Sequence, residues 1–77
     1  MKMLNMIDEK IKLDIATFPK LIIDCIKQLE YYNKTNDEEM YLTTLELLET
    51  TAKSFVLNNK LSEEDYRIIL RKYGGEV

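Results

Sequence analysis

Few side chains in this sequence are equipped for chemistry: the carboxylates Glu46 and Glu49, three residues apart, one cysteine, Cys25, and five tyrosines. Two carboxylates at that spacing share one side of a helix, where they can hold a divalent cation weakly or exchange a proton. A solvated helix face explains the pair equally well, with Glu49 one turn from Lys53 and placed to pair with it. Cys25 would be a nucleophile only as a thiolate, which needs a helix N-terminus or a nearby cation. It falls instead on the apolar line of Phe18, Ile22 and Leu29, where a thiol behaves as a small hydrophobe. The chain has no histidine, no glycine-rich phosphate loop and no second cysteine. Imidazole catalysis, histidine-based metal sites and an intrachain disulfide are therefore excluded. The expectation is a protein without catalytic residues, metal or cofactor.

What remains is surface. Asp37, Glu38, Glu39, Glu46 and Glu49 fall within residues 37–52, a stretch with no Lys or Arg. A face of that sign suits docking on a basic surface of another protein. Tyr31 falls off the apolar line of its own segment, and Leu47 off the next, so both join those acids as expected partner-binding residues. The net charge is −3, from eleven basic and fourteen acidic side chains, so nucleic acid and anionic membrane are not the expected partners. The alternative is a DNA-binding regulator using the second and third helices, with Arg67, Arg71 and Lys72 on the last one. Against it, that helix opens on Glu63, Glu64 and Asp65, where recognition helices present residues to base edges. An enzyme relying on Glu46, Glu49 or tyrosines is a third reading.

These side chains must be positioned by a small fold. Seventy-seven residues allow one core, and 45% hydrophobic with 32% charged residues, two Gly and one Pro indicate an ordered, helix-rich chain. Apolar residues at steps of three and four define three amphipathic helices. The first, over 18–33, uses Phe18, Ile22, Cys25, Leu29 and Tyr32, widened by Leu21 and Ile26, with Thr17 as N-cap and Pro19 in the first turn. Lys20–Asp24 and Glu30–Lys34 are spaced to pair on its outer side. The second, over 37–58, uses Tyr41, Leu45, Leu48, Ala52 and Phe55, with Leu42 and Val56 beside them and Asn36 as N-cap. The third, over 63–73, starts at Ser62, packs through Tyr66, Ile69, Leu70 and Tyr73, and ends at Gly74 as a left-handed cap.

Residues 1–17 fit either a helix face (Leu4, Ile7, Ile11, Ile15) or strand alternation. A lone strand would lack a partner, so a short helix over 3–12 is expected, followed by a break near Ala16–Phe18. The predicted architecture is all-α, a single domain made of a small antiparallel bundle of three long helices plus the short N-terminal one. No stretch resembles a signal peptide or membrane span, which points to the cytoplasm. Apolar residues left outside the stripes point to self-association as a homodimer.

Overall fold

The computed structural model describes residues 6–74, and among them it is all-helical, with no strand. A 3₁₀ turn at Ile15–Thr17 precedes α1 (Lys20–Lys34), α2 (Glu38–Leu57) and α3 (Glu63–Tyr73). The principal interface joins α1 to α2, and α3 packs on α2.

The expected helix over 3–12 is absent within residues 6–12, and residues 3–5 lie outside the described residues. Asp8 explains the difference. Its carboxylate accepts the Lys10 N–H at 3.0 Å and its carbonyl accepts the Ile11 N–H at 3.2 Å, closing a tight turn where a helix would need bonds four residues back. About ten residues are also too few to sustain a helix without strong packing. The segment runs instead as an irregular strap that buries Ile7 and half-buries Met6, Leu13 and Ile15 against the core.

The break before α1 falls in the expected region. Asp14 caps the 3₁₀ turn by accepting the Ala16 N–H at 3.1 Å, and Phe18 is extended, as the residue before a proline must be. That extended residue corrects the expected cap: the helix begins at Lys20, Pro19 occupies the N-cap position without a side-chain bond, and Thr17 stays in the 3₁₀ turn.

Both interhelical links use one device. Asn36 and Asn59 each have φ of 61°, in the left-handed region that asparagine tolerates better than most residues. After α1, Asp37 N–H donates to the Tyr32 carbonyl at 2.9 Å and Asn36 N–H to that of Asn33 at 3.4 Å. After α2, Lys60 N–H donates to Phe55 at 2.8 Å and Asn59 N–H to Val56 at 3.1 Å. These are Schellman closures with asparagine in the glycine position. Asn36 therefore ends α1 rather than starting α2, and Asp37 is the α2 N-cap, accepting the Met40 N–H at 3.2 Å.

The α3 start is as expected, with Ser62 Oγ accepting the Asp65 N–H at 3.0 Å. Its end is not: Gly74 has φ of −81°. Glycine serves here by closeness instead of handedness, because its N–H bonds the Leu70 carbonyl at 2.7 Å and a Cβ would overlap that same oxygen.

The core gathers Ile22, Ile26 and Leu29 from α1, Tyr41, Leu48 and Ala52 from α2, and Ile69 and Tyr73 from α3, with Ile7, Phe18, Cys25 and Leu61 at its edges. Two expected core residues lie outside it: Leu21 is 59% exposed and Leu42 is 44% exposed. Each sits about 100° from the fully buried neighbour beside it in sequence, Ile22 or Tyr41, and the stripe is too narrow to include both. Tyr32, Leu45, Phe55, Val56, Tyr66 and Leu70 form a half-buried rim.

Candidate functional site

Polar groups converge on the last turn of α3. A helix end leaves carbonyls without intrahelical partners, and here other segments supply them. Tyr41 Oη, fully buried on α2, donates to the Tyr73 carbonyl at 2.6 Å, and Asp8 N–H on the strap donates to the Lys72 carbonyl at 2.8 Å. Tyr73 Oη then donates to a Glu30 carboxylate oxygen on α1 at 3.1 Å. Burial, followed by the Glu30 charge, holds the Tyr41 and Tyr73 phenols well above their ordinary value near 10, so both act as donors across the neutral range.

Lys72 is the unexpected member. Its side chain is buried, and Nζ donates to the strap carbonyls of Ile11 at 2.8 Å and Asp8 at 3.1 Å. The ammonium also lies 5.6 Å from the Tyr73 ring centroid. At the strap's start, Met6 N–H donates to Asn33 Oδ1 on α1 at 3.2 Å. The strap is thus tied to α1 and α3 mainly through its backbone. This cluster is a fastening: Tyr41 and Lys72 are engaged with backbone carbonyls, and Tyr73 with Glu30.

The sequence-predicted partner residues lie outward. Glu38, Glu39, Glu46 and Glu49 are exposed on α2, as is Leu47 at 54%. Asp37 is half-buried and committed to capping. Tyr31 stands on α1, 62% exposed, edge-on to Tyr32 with ring centroids 5.4 Å apart. Tyr31 and Glu38–Glu39 therefore gather at the α1–α2 link, whereas Glu46, Leu47 and Glu49 lie two to three turns further along α2. The same outer side of α2 exposes Leu42 and Leu57, the latter to 76%.

Glu49 and Lys53 form no ion pair, nor do Glu30 and Lys34, among the described residues; the pairs present are Lys20–Asp24 at 3.2 Å and Arg67–Glu63 at 3.4 Å, both exposed. No group of three or more potential metal ligands occurs among the described residues. An open depression of about 330 Å³ lies between the 3₁₀ turn and the α2–α3 link, lined by Thr17, Phe18, Asn59, Lys60, Leu61, Ser62 and Asp65. It includes neither Glu46, Glu49 nor a tyrosine.

Cys25 is buried, and its thiol is pushed above its ordinary value by that burial and then by the Asp24 charge. A neutral, covered thiol reacts slowly. A disulfide reagent at pH 8 is expected to label the native protein about tenfold or more slower than the urea-unfolded chain; equal rates would show that Cys25 is accessible.

No helix among the described residues is long and apolar enough to cross a membrane. Comparison with known proteins found no matching family model, no matching curated protein and no matching solved structure.

Proposed function

We propose that this chain is a non-catalytic, cytoplasmic interaction or regulatory module, an antiparallel helical bundle that self-associates through leftover apolar surface and docks on a basic protein surface through the outer side of α2. The observation that carries the reading is the composition of that side: Leu42, Leu47 and Leu57 exposed on the same helix as Glu39, Glu46 and Glu49. Large apolar groups at a surface gain by being covered, and the surrounding acids select what covers them. None of these side chains makes a hydrogen bond or ion pair among the described residues.

The test is affinity capture from the native cell with the wild type and with E46K/E49K. Exposed substitutions of this kind change stability by less than about 0.5 kcal/mol, so circular dichroism should match. Proteins with basic surfaces are expected to be retained by the wild type and lost from the variant. Equal retention of every captured protein by both would remove the reading.

The DNA-binding alternative draws less support. Of the three basic side chains on α3, Lys72 is buried in the strap and Arg67 is paired with Glu63, while the first turn carries Glu63, Glu64 and Asp65. Failure to retard any duplex at low salt would close it.

A further inference from the structure

The exposed half of α2 keeps its charges off one line of side chains. Met40, Thr43, Leu47, Thr50, Ser54 and Leu57 recur at alternating steps of three and four along the helix, and each is exposed. That is the spacing of a coiled-coil seam. The seam carries no charge, and the Thr43 hydroxyl is already satisfied within the helix, donating to the Glu39 carbonyl at 3.0 Å. Charges stand beside the seam on one flank only, as Glu39, Glu46 and Lys53 at steps of seven. The opposite flank carries Thr44 and Thr51. Glu38 and Glu49 lie about 130–150° round the helix from the seam.

Within one chain α2 meets α1 and α3 through the side that buries Tyr41, Leu48 and Ala52, so only another molecule can cover the seam. The order of the flank charges says which. When α2 is laid antiparallel on α2 of a second copy, Met40 meets Leu57, Thr43 meets Ser54 and Leu47 meets Thr50, each twice about a twofold axis. The charged flanks then face each other. Along them the side chains come from the two copies in turn, in the order Glu39, Lys53, Glu46, Glu46, Lys53, Glu39. Every neighbouring contact in that order joins opposite charges except Glu46 with Glu46 at the axis. On a basic surface Lys53 would meet its own sign instead. A parallel pair would set the charged flank against Thr44 and Thr51, with nothing to attract it and the helix dipoles aligned. We propose that α2 pairs along this seam with α2 of a second copy, antiparallel. The proposal rests on the reading of α2 as a docking surface and names the part of it that self-associates; Leu42 and Glu49 stay clear of the pair.

Charge variants of the full chain, read by sedimentation and light scattering, test this. The wild type is expected to dimerise, more weakly as salt rises. E39K/E46K makes every charge on the flank positive and K53E makes every one negative, so each should raise the dissociation constant about tenfold or more. Mixing the two variants should restore dimers to within about threefold of the wild type or tighter, because every contact along the mixed flank joins opposite charges. The three positions are exposed, and circular dichroism checks that each variant is folded. A wild type that stays monomeric at millimolar concentration overturns the proposal, as does association that ignores either variant, or mixed variants that stay apart. Capture with E46K/E49K separates this from the docking reading. A monomeric wild type that still loses basic partners in that variant ends self-pairing and leaves α2 as a surface for a different protein, whereas a salt-sensitive dimer with unchanged capture ends the basic partner and keeps the pair.

Discussion

Replacing Tyr41 with Phe is expected to lower the unfolding free energy by about 1–3 kcal/mol, the usual cost of leaving a buried polar group without its partner. The ring still fills its place, so no cavity adds to the loss. What disappears is the 2.6 Å bond from the buried hydroxyl to the Tyr73 carbonyl, a helix-end acceptor. Urea titration reads the effect as a lower midpoint at unchanged slope; a variant within about 0.3 kcal/mol of the wild type would mean that the carbonyl finds another donor. The alkaline limb should change too. Both buried phenols hold their protons more tightly in the folded than in the unfolded chain, so their contribution is complete below about pH 10 and declines as the unfolded chain ionises above it. Y41F removes one of those two contributions, and its stability should fall less steeply above pH 10.

Lys72→Met is expected to cost about 2–3 kcal/mol, since charge-assisted bonds exceed neutral ones and two are lost at once. Methionine keeps most of the apolar stem, so the change isolates the ammonium. The carbonyls of Asp8 and Ile11 lose their donor, and the strap keeps the Asp8 N–H bond to residue 72, the Met6 N–H bond to Asn33 and the buried Ile7. Hydrogen exchange distinguishes this from a general loss of stability. The Asp8 amide should lose protection by a larger factor than the α1 amides around Ile26, whereas uniform loss across both would mean that the strap and α1 open together.

The three long helices were legible in the sequence because their apolar spacing and their caps agree. Ser62 with Asp65, and the acids that open α3, set that helix's first residue without help from tertiary structure. The strap was not legible, because its conformation depends on a lysine 64 residues away in the chain for the Asp8 carbonyl and 61 for that of Ile11. In sequence, Lys72 reads as a solvated cation at a helix end, and only the carbonyls brought to it explain its burial. Asn36 was misplaced for a different reason. An asparagine between two helices can cap the second or close the first, and its left-handed backbone decides for the latter. Tyr31, Leu47 and the four glutamates are exposed, which their places off the apolar stripes already imply, because lying off a stripe is a local property.

The long reach from Lys72 to Asp8 also sets an order of events during synthesis. A ribosome makes residues 8 and 11 respectively 64 and 61 residues ahead of their anchor, so they leave the exit tunnel before it has been added. Neighbouring segments such as α1 and α2 can collapse on each other in the meantime, since little loop must be closed to join them. The nascent polypeptide therefore carries Ile7 on an unanchored strap until α3 has been added, and that interval is when chaperones would find it.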